Sequence, residues 1–404
     1  MLPEGWKKIQ IKDCGTVVTG STPDTRELKY YGDDFVFVSP KDMDVNKEVF
    51  TSEKKLSLSG YSQCRKVRKG ATLCTCIGST IGKIAFAGVD LVTNQQINSV
   101  IPNNYFDDDY IYYALKNISD DIKNRAGTQA IPIINKSEFS RLYIIAPKLE
   151  EQKKIGSIIS TWDKAISTMD ALLANSRQQK KALMQQLLTG KRRLPGFTGE
   201  WKNCQFRNIF SILSNTPLSR AEVEDGGEVE YVHYGDIHKI SASYLDVARD
   251  YQGKISSNKV KSDFLEDGDL LVADASEDFE GIGKAVEVKN IQDKKAIAGL
   301  HIILARPDKT LLAKGYAGKI QFIPSVKKQF ISLATGISVF GLSKTNFLSV
   351  SVLLPPLDEQ RAIAAVLDAA DREIVLLEQK AARLREEKKS LMQQLLTGKR
   401  RVRL

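Results

Sequence analysis

The run LMQQLLTGKRR stands twice in this chain, at Leu183–Arg193 and again at Leu391–Arg401. A string of that length does not recur by chance, so whatever the chain folds into is built twice. Carried backwards at the same spacing, Pro147-Lys-Leu-Glu-Glu-Gln152 aligns without a gap on Pro355-Pro-Leu-Asp-Glu-Gln360. Further back the match thins but persists: Trp6-Lys7 pairs with Trp201-Lys202, Asp42 with Asp236, Gly82-Lys83 with Gly283-Lys284, and Phe139 with Phe347. Each repeat therefore has a variable first part and a near-constant tail.

The tails read as helices with a sustained apolar seam. Ile159, Trp162, Ile166, Leu173 and Leu183 belong to a run spaced alternately by four and three, and Leu367, Ile374, Leu377, Leu384 and Leu391 repeat it. That spacing keeps one stripe facing a partner helix, the coiled-coil pattern, and two matched seams in one chain most simply pair with each other. Pro147 and Pro355-Pro356 act as N-terminal stops, and Gly190 and Gly398 stand where C-caps belong. Some 38 residues at 1.5 Å each make a rod of roughly 57 Å. The variable parts carry short apolar, β-prone runs such as Phe35–Val38, Thr72–Ile77, Lys83–Phe86, Leu270–Ala273, Ile302–Leu304 and Leu348–Leu354, with a helical stretch at Tyr110–Lys123. The expected class is α+β, partitioned as 1–147 (first variable domain), 148–190 (helix), 191–199 (basic linker), 200–354 (second variable domain) and 355–404 (helix and basic tail).

Catalytic chemistry finds little support. Phe279-Glu-Gly-Ile-Gly283 resembles the FxGxG loop with which amino-methyltransferases approach S-adenosylmethionine, but its counterpart Gly78-Ser-Thr-Ile-Gly-Lys83 keeps only the final Gly-Lys. No Pro-Pro-Tyr or Pro-Pro-Phe string follows that could stack a flipped base, so a tight hairpin turn is the expectation. There is no GxxxxGK[ST], HExxH or GxSxG string. Asp107-Asp-Asp109 reads as a helix start. Five cysteines without a CxxC pair, and only three histidines, argue against structural zinc and for a reduced, cytoplasmic protein. Met1–Trp6 has no apolar signal core, and no apolar run reaches a membrane-spanning length of roughly 20 residues.

The charge balance of +10 and a pI near 9.1 favour a polyanionic partner. Basic residues interleave with polar ones at Ser62–Lys69 and Lys254–Lys261. Candidate DNA contacts in the first half are Lys41, Ser79, Thr80, Lys83, Gln95, Gln96, Thr128 and Gln129. Those in the second half are His238, Ser276, Lys284 and His301. Lysine would meet phosphate, while Gln suits adenine edges.

With these features in place the chain resembles the specificity subunits of Type I restriction–modification systems along essentially its whole length. The segment Gly127-Thr-Gln-Ala-Ile-Pro-Ile-Ile-Asn135, then Phe139, Pro147, Glu151-Gln152 and Ile155, carries the likeness, as does Gly336-Ile-Ser-Val-Phe-Gly-Leu-Ser343, then Phe347, Pro355, Glu359-Gln360 and Ile363. The opening LPEGW and Val38-Ser-Pro-Lys-Asp-Met43 add to it. The resemblance implies two target-recognition domains, each reading one half of a split double-stranded DNA site, and two antiparallel helices that set the gap. It implies no catalytic residues, metal or cofactor in this chain. Two modification subunits would bring S-adenosylmethionine, and motor-nuclease subunits would bring magnesium and ATP. Two alternatives are a self-contained adenine methyltransferase, which needs the absent Pro-Pro-Tyr motif, and a coiled-coil scaffold that does not bind DNA.

Overall fold

The computed structural model describes residues 2–43, 47–127, 131–218, 220–224, 226–240, 242–250 and 253–403. They form two compact units, Met1–Ala171 with Gln379–Leu404, and Leu172–Glu378. The boundary falls inside both long helices, Leu149–Leu187 and Leu357–Leu395.

In the first unit, the main sheet has the strand order Gly15–Thr19, Ile97–Pro102, Thr72–Thr75, Ile84–Ala87, Glu48–Val49. All neighbours are antiparallel except the last pair, which is parallel. In the second unit, the order Phe210–Leu213, Ile302–Pro307, Leu270–Ala273, Ala285–Lys289, Tyr244–Asp246 repeats it, again with a single parallel pair at the edge. A two-stranded ribbon also recurs, joining Lys7–Gln10 to Tyr143–Ala146 and Lys202–Gln205 to Ser351–Leu354. The weak sequence matches of the variable parts thus conceal one topology used twice. The strands Thr72–Thr75 and Leu270–Ala273 are buried throughout, and the second accordingly reads as a short continuous apolar run rather than an alternating one.

Each unit contains its own antiparallel helix pair. In the first, Lys388 pairs with Asp163 and Arg385 with Asp170 at 2.5 Å. In the second, Lys180 pairs with Asp371 and Arg177 with Glu378 at 2.6 Å. Numbers rise along one helix as they fall along the other. Ile159 and Leu367 are buried, while Trp162, Ile166, Leu173, Leu183, Ile374, Leu377, Leu384 and Leu391 are half-buried along the seam. Gly156, which interrupts the apolar pattern, lies where a Cβ would come within 2.8 Å of Asp107 Oδ1 and 3.0 Å of Asp109 Cβ. Asp107 is the N-cap of the helix Asp108–Asn117, and its side chain accepts from Tyr110 N.

The repeated motifs have structural partners in one another. Arg193 of the first GKRR string binds Glu359 of the second Glu-Gln pair through Nε at 2.8 Å and Nη2 at 2.5 Å. Arg401 of the second string binds Glu151 through Nε and Nη2 at 2.7 and 2.9 Å. The adjacent glutamines act as clamps. Gln152 donates to Pro147 O and accepts from Asp107 N, and Gln360 donates to Pro355 O and Leu311 O and accepts from Ala313 N. Gln360→Leu keeps the volume but strips partners from buried backbone groups. It should lower the stability of the second unit by about 2–4 kcal/mol in urea denaturation. A loss below about 0.5 kcal/mol would show that the clamp is dispensable.

Two expectations need correction. Leu348–Leu354 is not one strand: Ser343 caps a helix, Lys344–Ser349, by accepting from Asn346 N, and the strand begins at Ser351. Tyr110–Lys123 is not one helix, because it breaks at Ile118 into Asp108–Asn117 and Ser119–Arg125. The Ser343 cap is a local signal that an apolar count does not register, and the break at Ile118 carries no side-chain cap.

Candidate nucleic-acid interface

In each unit the segment after a strand, a turn at 40–42 in the first and the helix Tyr234–Lys239 in the second, is tied to the turn of the neighbouring hairpin by a lysine. Val38 ends one strand, and Lys83, at the foot of the hairpin Thr72–Thr75/Ile84–Ala87, donates from Nζ to Pro40 O at 3.2 Å. Val232 ends the corresponding strand, and Lys284, at the foot of the hairpin Leu270–Ala273/Ala285–Lys289, donates to His238 O at 2.6 Å. Gly82 and Gly283 precede these lysines at φ +80° and +68°, a backbone region that glycine enters without a Cβ penalty. The sequence string at Phe279–Gly283 is accordingly a hairpin turn. Burial lowers the pKa of Lys284 from its ordinary value.

In the first unit, Ser79 and Thr80 are exposed at the hairpin tip. Lys41, exposed, shares a cavity of about 280 Å³ with Gln95, Thr22, Ser39 and Lys54. Gln95 is exposed, and its Oε1 accepts from Thr22 Oγ1 at 2.5 Å. Gln96 is half-buried, its Oε1 accepting from Asn94 Nδ2 at 3.0 Å. Thr128 and Gln129 lie outside the described residues.

In the second unit, a cleft of about 1190 Å³ is lined by His238, Ser276 and Lys284 together with Lys239, Glu277 and Lys327. Ser276 is buried, and its Oγ accepts from Asp278 N at 3.3 Å, so it shapes the turn rather than presenting a free hydroxyl. His238 Nε2 lies 2.9 Å from Ala275 O. His301 is exposed, in a left-handed conformation at φ +59°, with Nδ1 3.1 Å from Asp274 Oδ1. All three histidines of the chain gather around Tyr234, their ring centres 4.5, 6.3 and 5.4 Å from its own for His233, His238 and His301. Burial, and then the Arg220 charge, lower the pKa of His233.

Tyr234 and Lys327 were not among the residues expected from sequence. Lys327 donates to Glu280 O at 2.5 Å and Ile282 O at 2.9 Å, pinning the turn from the helix Pro324–Leu333. No local signal could have found it, since its partners lie some 45 residues away. The basic runs are less available than their composition suggests. Arg68 pairs with Asp108 at 2.8 Å, Lys254 lies 3.9 Å from Glu230, and Lys259 pairs with Glu224. Among the described residues no cluster of His, Cys, Asp and Glu could hold a metal ion, and no helix is long and apolar enough to cross a membrane.

Sheets, hairpins and helices arranged twice in this way define a duplicated recognition protein. Residues 3–175 and 198–386 each match the Type I restriction modification DNA specificity domain. The chain belongs to that family. It is similar to the Type I restriction enzyme MjaVIII specificity subunit of Methanocaldococcus jannaschii, with 25% identity over 422 residues covering 99% of this chain and 94% of that one. It is also similar to the HindI specificity subunit of Haemophilus influenzae, with 29% identity over 47% of this chain and 42% of that one. The fold is that of the S subunit of the Type-I restriction-modification system from M. genitalium, with a TM-score of 0.61 at 15% identity and 96% of each chain covered.

Proposed function

We propose that this chain, as a Type I specificity subunit, reads a bipartite DNA target, one part with each unit, through the lysine-tied segments and hairpin turns described above. The observation that carries this reading is the recurrence in both units of a lysine that ties the segment after a strand to a hairpin turn, while the residues around it differ. A shared scaffold with different surfaces suits two half-sites of unrelated sequence. In the first unit the exposed set Lys41, Ser79, Thr80 and Gln95 offers the side chains for contact. In the second, His301, Lys239 and the rim of the Tyr234 cluster do so. Lys83 and Lys284 hold these segments in position, so their loss would act through geometry.

Methyl transfer and cleavage belong to partner subunits, two for modification and others for restriction, in the cytoplasm. S-adenosylmethionine, magnesium and ATP are bound by those partners.

Mapping methylated sites in cells that carry this chain with its modification subunit tests the reading directly. A bipartite motif is expected, and exchange of residues 200–354 for those of a relative should change one half-site and leave the other. Lys41→Ala separates two roles. A phosphate contact weakens all sites alike and reduces the salt slope by about 0.9. A base contact relaxes one position by about 1–3 kcal/mol. A motif without a gap, or both half-sites changed by the exchange, would sink the proposal.

A further inference from the structure

A cavity of about 760 Å³ in the first unit lies between the helix Asp108–Asn117 and the paired long helices, and its lining carries more positive than negative charge, with Lys116 exposed to solvent. Three ammonium groups meet around Tyr112 and Tyr113. Lys47 Nζ is 5.2 and 4.8 Å from the two ring centres, and Lys388 Nζ is 5.5 Å from that of Tyr113. Lys116 Nζ donates to Tyr112 Oη at 3.2 Å. Only two carboxylates answer them: Asp109 pairs with Lys47, while Asp163 pairs with Lys388 and accepts from Tyr113 Oη at 2.5 Å. Among the described residues no carboxylate lies within ion-pair distance of Lys116. Arg385 is paired with Asp170 and Asp120 with Lys123, and Lys164 and Lys389 add further positive charge to the lining.

The second repeat places a carboxylate of its long helix between two lysines. There Asp368, on the second long helix, binds Lys319 at 2.5 Å and Lys289 at 3.0 Å. Burial raises the pKa of Asp368, but the hydrogen bonds and charges of these two lysines outweigh it and hold the carboxyl below its ordinary value. Lys180 and Asp371 repeat the Lys388–Asp163 pair. The position equivalent to Asp368, at the constant spacing of the repeat, is Ser160 in the first unit, and Ser160 lines the cavity. The first unit thus has a serine hydroxyl where the second has this carboxylate, and its Lys116 has no carboxylate partner among the described residues.

We propose that the cavity binds a phosphate group, which supplies there the negative charge that Asp368 supplies in the second unit. Lysine ammonium groups bind phosphate as point charges, and the hydroxyls of Ser119 and Ser160 can donate to its remaining oxygens. The volume falls within the roughly 300–1,000 Å³ of small-ligand sites, and the exposed ring of Phe50 on its wall gives a flat apolar face beside the charges. The phosphate could come from a free phosphate ester or from a DNA backbone, and the two are separable by experiment.

The full chain is titrated with inorganic phosphate and pyrophosphate against chloride at constant ionic strength, by calorimetry and thermal melting. Wild type should bind and melt higher with phosphate. Ser160→Asp, which installs a carboxylate there, should weaken binding by about tenfold or more while melting no lower than wild type without ligand. Lys116→Met should weaken it similarly, and serves if Ser160→Asp does not fold. Duplex DNA without a target site then identifies the source. Lower affinity of Ser160→Asp for every duplex, with phosphate competing, assigns the site to the DNA backbone. Unchanged DNA affinity assigns it to a free ester and leaves target recognition intact. No response of wild type at millimolar phosphate, or equal responses in all three chains, would overturn the proposal.

Discussion

Glu359→Ala should destabilise the second unit by about 2–3 kcal/mol, and Glu151→Ala the first by only about 1–2 kcal/mol. The two carboxylates are equivalents in the repeat, but their surroundings differ. Glu359 has no side-chain exposure and accepts from both Arg193 and Trp201 Nε1, the latter at 3.1 Å. Its removal leaves a guanidinium and an indole N–H without a partner. Truncating one member of a fully buried pair costs about 3–5 kcal/mol, and Arg193, at 28% exposure, recovers part of that through water. Arg401 is 48% exposed, and Trp6 Nε1, the counterpart of Trp201 Nε1, has no hydrogen-bond partner to lose. Amide exchange followed separately in Leu270–Ala273 and Thr72–Thr75 measures the two costs. Equal losses in both units would show that the asymmetry carries no energy.

A matched heptad inserted after Ala171 and another after Glu378 should change the spacing of the recognised DNA site rather than its bases. These points mark the unit boundary on the two helices, and a heptad preserves the seam. Each helix lengthens by about 10.5 Å, seven residues at 1.5 Å. At roughly 3.4 Å per base pair the preferred gap should grow by about three base pairs. Three base pairs also rotate one half-site against the other by roughly 100°, given about 10.5 base pairs per turn. The supercoil turns far less over one heptad, so affinity should fall as well. Methylation mapping of the insertion variant reads both effects. An unchanged gap with altered half-site bases would contradict the helices' role as a spacer.

The candidate interface was legible in outline only. Ser276 and Gln96 carry the right chemistry for reading bases, yet one is buried beneath its own turn and the other hydrogen-bonds within its loop. Lys83 and Lys284 were recognisable as a repeated pair, but a sequence cannot show that their amines end on the carbonyls of Pro40 and His238. The basic runs at 62–69 and 254–261 looked like free charge because their acidic partners, such as Asp108 and Glu224, lie up to 40 residues away.

The two long helices follow from the sequence alone. Their seam, their Pro and Gly boundaries and their duplication are local or periodic signals, and helix geometry converts such signals into structure without further information. What the variable parts become was decided by tertiary structure. Their strands are short and their sequences divergent, and strand order depends on pairings between distant residues, such as Ile97–Pro102 between Gly15–Thr19 and Thr72–Thr75. The same holds for the surplus charge around Lys116. It exists because the bend before a strand, a helix and a coiled-coil seam bring Lys47, Lys116 and Lys388 around one pair of tyrosines, and no spacing along the chain records that meeting.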